Sequence, residues 1–299
     1  RGDLVGEGEY RAGRAWAGKF VARYANNRLK QVSSYAQGRL SGDFAVYYAN
    51  GQVKRRGSYA AGQKVGKWVW YDEAGRLAGE EYYAGGKANG PLITYCENGQ
   101  TKSEGNFEDG RMEGEWIEYY DNGQIWFAQQ YKDGAKDGKG VYYDREGDII
   151  GEGVYREGTA WAGVFLSYLG GRIKRIESYM DGKRDGRWIW YHSNGNVERE
   201  GYFSAGNKHG KFVAYYQSGR RAAEGSYREG KREGKWVWYE ESGKKKAEGN
   251  FAADHGRVLR FDAYGEAEEL WVYQKDDLVD EIDCRVGSSA CEQLGGRGP

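Results

Sequence analysis

Apolar and polar residues along this chain recur on one long period, and within that period they alternate. The stretch Gly66 to Asn89 reads GKWVWYDEAGRLAGEEYYAGGKAN, and glycines at 18, 42, 66, 90, 114, 138, 163, 186, 210 and 234 each open a comparable unit of 24 residues, apart from 25 at Gly138 and 23 at Gly163. Counting the opening glycine as position 0, position 2 is Phe or Trp in eight units, with Leu92 and Gly140 as exceptions. Position 3 is small or aliphatic, position 5 is Tyr in nine units, and position 17 is aromatic in nine. Residues two apart share a face of a strand, so KWVWY followed by a turn and a second alternating run predicts a β-hairpin per unit. A helix is excluded, because glycines this frequent would each cost about 1 kcal/mol there.

With four residues in each loop, position 0 faces position 15 across the hairpin. Gly42 then meets Gly57 and Gly186 meets Gly201, a glycine stripe lying beside the rings of positions 2 and 17. Tandem units of this kind make an all-β, elongated single-layer array of hairpins, a twisted ribbon or open solenoid in which each unit leans on its neighbours. The positions that define it are Gly66, Trp68, Tyr71 and Tyr83, and their counterparts Gly186, Trp188, Tyr191, Gly234, Trp236 and Tyr239. Residues 1–17 read as an N-terminal partial repeat, 18–255 as the ten full units, 256–283 as a degenerate closing unit and 284–299 as a loose tail. Gly8 to Gly18 matches Gly153 to Gly163 at eight of eleven positions, which predicts two blocks with a break near 153–163.

Composition alters the picture in two respects. A charged fraction of 30% and a mean hydropathy of -0.92 belong to chains at the border of disorder, but 26 Tyr and 11 Trp on a strict period supply the apolar surface a fold requires. Lys and Arg number 45 and Asp and Glu 45, so there is no net charge with which to neutralise phosphates, and nucleic acid is not an expected partner. No run of 18 apolar residues and no basic amphipathic stripe occurs, which argues against membrane lipid as a ligand. His192, His209 and His255 lie near turns at unrelated positions without a ligand spacing, and no nucleophile elbow or phosphate loop is present. Neither enzymatic activity nor a cofactor or metal is expected. Cys96 reads as an incidental thiol, whereas Cys284 and Cys291 can form a disulfide in an oxidising compartment.

The pattern G-x-W-x-x-Y-x-x-x-G followed by E-G-x-Y-x-x-G-K-x-x-G resembles the MORN repeat, in the bacterial variant of about 24 residues found in antitoxin-like proteins, over roughly residues 4–280. That resemblance implies a scaffold or interaction surface. Position 4 is where units differ beside the aromatic row, and Trp70, Trp190, Trp238, Tyr142 and Glu118 are the candidate partner-binding residues. The expected partner is another protein, in an antitoxin, immunity or assembly role. The alternative is a carbohydrate or cell-envelope module in which the Trp/Tyr face stacks on a glycan. The compartment is open between the bacterial cytoplasm and, where a signal segment has been removed, the periplasm or exterior.

Overall fold

A computed structural model describes residues 5–252, 255–274, 277–284 and 291. Most of the tail read as loose from the sequence, 285–290 and 292–299, lies outside them. The described elements are all β-strands, and the chain divides into two units, Arg1–Thr159 and Ala160–Pro299. In the first, thirteen strands from Val5–Arg11 to Ile149–Arg156 follow one another as an antiparallel meander, each bonded to the next. In the second, eleven strands from Thr159–Leu169 to Asp277–Asp283 do the same.

Two turn types alternate, both tighter than four-residue loops, except in the Gly163 unit, where Gly170 and Gly171 make a two-residue loop inside the repeat. Inside a repeat, the Asp72 N–H donates to the Arg76 carbonyl at 2.9 Å and the Gly75 N–H to the Asp72 carbonyl at 3.0 Å, leaving a three-residue loop. Between repeats the loop has two residues, as at Ala61 and Gly62, whose φ angles of 49° and 86° make the I′ turn that matches strand twist.

The opening glycine is a bulge rather than part of a glycine stripe. Between the pairs Arg56↔Val69 and Ser58↔Val65, the single residue Gly57 opposes Gly66, Lys67 and Trp68, and Gly66 takes φ +64° there. Every strand that opens a full repeat after the first carries the same three-against-one bulge in unit 1, and it recurs in the second, third and fourth hairpin steps of unit 2. The closing step, Gly249↔Val258 to Phe251↔Gly256, has none. Bulges bend and twist a strand, so the repeat carries its curvature in position 0.

The three-residue turn and a bulge beside Tyr47 together shift the register by two residues from the sequence expectation. Gly42 pairs with Tyr59, and Gly57 with Phe44. Position-15 glycines such as Gly57, Gly105 and Gly225 thus lie under a ring, whereas Gly153, paired with Gly140, still faces a glycine. A Cβ on Gly57 would lie 2.3 Å from Trp68, one on Gly105 2.2 Å from Trp116, and one on Gly225 2.2 Å from Trp236. Because the glycines let the indoles sink onto bare backbone, Trp68 is 0% exposed and Trp236 2% in a single-layer sheet. The rings then form edge-to-face ladders, Phe44–Tyr59–Trp68–Tyr83 in unit 1 and Phe212–Tyr227–Trp236 in unit 2.

Candidate functional site

The ring face and its reverse differ in what they leave open. Cross-strand pairing places position 4 in line with position 13 of the flanking strands. In unit 1 the line runs Arg55, Trp70, Gly79, Thr94, Ser103, Glu118, Phe127, Tyr142, Gly151. In unit 2 it runs Arg175, Trp190, Arg199, Ala214, Ala223, Trp238, Ala247, Arg260, Glu269. The five sequence candidates therefore all fall in these position-4 lines, three in one unit and two in the other.

Their surroundings are unequal. Trp70 covers Gly79, where a Cβ would meet it at 2.2 Å. Trp190 lies between two guanidiniums, Arg199 at 3.9 Å and Arg175 at 4.7 Å from its ring centre. Trp238 stacks on Trp236 at 5.9 Å. The Glu118 carboxylate accepts a bond from Trp116 Nε1–H at 3.1 Å. Tyr142 packs on Phe127 at 4.8 Å and is 4% exposed, so its ring has little surface to offer a partner.

On the reverse face position 3 lines up with position 14. In most repeats position 14 is Glu, and it collects two neighbours. Glu200 accepts from Arg187 at 2.6 Å and from the Tyr215 hydroxyl at 3.0 Å; Glu224 accepts from Tyr239 at 2.6 Å and Glu104 from Tyr119 at 2.5 Å. The Arg187 bond, then that from Tyr215, holds the Glu200 carboxyl below its ordinary range. Burial and then the Glu104 hydrogen bond push the Tyr119 phenol up to about 12. This Glu and its i+15 tyrosine are a cross-strand pair that sequence reading missed, although E-G at positions 14 and 15 was the visible signal.

Early in unit 1 the Glu is absent. Position 14 is Val32 and then Arg56, so the line Val21, Val32, Ala45, Arg56, Val69 lacks an acid until Glu80. Here an open trough of ≈ 920 Å³ forms along that line, aliphatic apart from Arg56 and lined also by Lys19, Arg23 and Lys67 against Asp43 and Glu80. Glu80 is already bonded to Lys67 at 2.6 Å, which leaves the trough with an excess of positive charge.

Turns are tied along the array as well. Tyr48 donates to the Tyr71 carbonyl at 3.0 Å and Asn50 to the Glu73 carbonyl at 2.6 Å; His192 Nε2 lies 2.9 Å from the Tyr215 carbonyl. His192 is thus a tether between neighbouring turns. Cys284 and Cys291 are joined as a disulfide, with Cys291 buried against Leu259 and Leu270. Among the described residues no three His, Cys, Asp or Glu side chains gather as metal ligands.

Hairpins that repeat with a shared register, rings seated on glycine and broad open faces define a tandem hairpin-repeat scaffold. The MORN repeat variant matches at residues 40–61, 64–84, 112–133, 184–205 and 232–253, and the chain is a MORN-repeat protein. No curated protein matches it. Similar solved structures include the crystal structure of TcdB2-TccC3, at 12% identity over 89% of this chain and 17% of that one, with a TM-score of 0.18. The structure of TcdB2-TccC3-Cdc42 is 10% identical over 87% and 18%, also at 0.18, and the Photorhabdus luminescens Tc holotoxin pore is 12% identical over 88% and 17%, at 0.17. The chain spans less than a fifth of each of these chains, and TM-scores at this level do not establish a common fold.

Proposed function

We propose that this scaffold has no catalytic activity of its own and binds another protein, through an extended segment of that partner lying in the trough of unit 1. The observation that supports this reading is the trough itself, where an apolar floor at Val21, Val32, Ala45 and Val69 is bordered by four basic side chains and two acidic ones. A strand-like segment that alternates aliphatic and acidic residues places the former on the floor and the latter at Lys19, Arg23 and Arg56. The ring face is a weaker candidate, since its largest indoles are spent on packing and Trp190 is covered by arginines on both sides. That arrangement also disfavours a glycan stacking on Trp190, which needs an uncovered ring.

The test uses the full chain and a synthetic peptide of alternating Val and Glu, with a Val/Lys peptide as control. Saturable binding of the acidic peptide, weakened at least about tenfold in Ala45→Arg and Arg56→Glu and unchanged in Trp190→Ala, is the expected result. Equal binding of both peptides, or loss only in Trp190→Ala, removes this reading. A glycan array on the same three proteins tests the carbohydrate alternative.

A further inference from the structure

The line of position-4 residues in unit 2 contains one vacancy. Trp190 is flanked by Arg175 and Arg199, which fill the space over its ring. Trp238, four strands on, is flanked by Ala223 and Ala247 in the same places. With short side chains there, the indole forms one wall of a hollow of ≈ 250 Å³ instead of the middle of a cation sandwich. The floor is Ala247 and Val258, both buried. Trp271 also lines it, its ring covered by the Arg260 guanidinium at 4.6 Å.

The charge of this hollow is one-sided. Its lining holds Arg232, Lys246 and Arg260 and no carboxylate. Glu269 engages Arg260 at 2.6 Å from outside the lining. Arg232 is held by rings, lying 5.3 Å from the centres of both Trp236 and Phe251 and 5.9 Å from that of Trp238. An aromatic wall, an apolar floor and a basic rim are jointly complementary to one ligand chemistry: a flat apolar body that carries an anion. The volume lies below the roughly 300–1,000 Å³ of drug-sized sites, so the body is a single small ring system.

We propose that this hollow in unit 2 is a binding site for a small aryl anion, a ring bearing a carboxylate or phosphate, with the ring against Trp238 over Ala247 and Val258 and the anion at Lys246, Arg232 and Arg260. The site is independent of the trough in unit 1, and either reading can fail without the other. Burial raises the Tyr273 phenol above its ordinary value while Arg232 and Arg260 oppose that rise, as two cations facing the same space should.

Isothermal titration calorimetry on the full chain tests this with indole-3-acetate and phenyl phosphate as probes, and tryptophol and inorganic phosphate as controls. The expected result is saturable one-site binding of both probes, at least about tenfold tighter than either control. Lys246 is exposed, so Lys246→Glu leaves the fold intact and should weaken the probes at least about fivefold. Ala247→Leu, which fills the floor, should abolish binding. No binding of either probe, equal binding of tryptophol or inorganic phosphate, or unchanged affinity in Lys246→Glu overturns the proposal.

Discussion

Gln129 and Gly140 exchange the roles that glycine and ring hold in neighbouring repeats. Where other units place an aromatic over a glycine, here glycine stands at position 2 and Gln129, 1% exposed, occupies position 15. A Cβ on Gly140 would lie 2.3 Å from Gln129 Oε1, so the amide fills the volume an indole fills elsewhere. A double-mutant cycle should expose this compensation. Gln129→Gly alone leaves a void and Gly140→Trp alone overpacks, each destabilising by about 1–3 kcal/mol; the double variant is expected to recover most of the loss. Urea unfolding of the four proteins measures the coupling, and strictly additive effects would contradict it. Gly225→Ala, by contrast, forces a methyl into the Trp236 ring 2.2 Å away and has no partner exchange to relieve it. Its expected cost is about 1–3 kcal/mol.

Within the hairpin, the position-14 glutamate joins strands through a base of its own repeat and a tyrosine of the next. Glu200 has a depressed carboxyl pKa because Arg187 and Tyr215 donate to the ionised form. A depressed carboxyl contributes stability that is present above its unfolded value, near 4.5, and is lost as pH falls through the folded one. Glu200→Gln is therefore expected to lower stability at pH 7 and to flatten the decline between about pH 5 and 3, as read from denaturation midpoints across that range. The tyrosine partner responds at the alkaline end. Tyr119, raised to about 12 by burial and by Glu104, keeps its proton after unfolded tyrosines lose theirs, so its contribution declines as pH rises above 10. Ultraviolet titration of the phenolates should show a high-pH component that shrinks in Tyr119→Phe and moves down in Glu104→Gln.

Within each unit, each repeat is bonded to the one before and the one after among the described residues, through strand pairing and turn-to-turn bonds such as Tyr48 to Tyr71 and Asn50 to Glu73. Nearest-neighbour coupling of this kind makes the 24-residue unit the smallest removable piece. Deletion of residues 66–89 brings Val65 onto Gly90 with every pairing position preserved, and should retain a cooperative β fold by circular dichroism and thermal unfolding. Deletion of residues 66–77 removes most of the strand Gln63–Tyr71 and its turn, joins segments of opposite direction, and should not.

The hairpins, the period and the face each aromatic occupies were readable in the sequence, because alternation and repetition are local properties that a strand converts directly into sidedness. Register was not. It depended on loop length and on a bulge: the three-residue turn and the bulge beside Tyr47 moved Gly57 from the expected place opposite Gly42 to opposite Phe44 and beneath Trp68. Position 4 was visible as the varying site, yet whether its residue is open or covered is set by position 13 on adjacent strands, far along the chain. Arg175 and Arg199 cover Trp190, Ala223 and Ala247 leave a hollow at Trp238, and Phe127 helps bury Tyr142. Amino-acid order alone determined that this chain is a repeating β array; tertiary pairing decided which surfaces are free, because free surface is what remains after neighbours separated in sequence have filled each other's space.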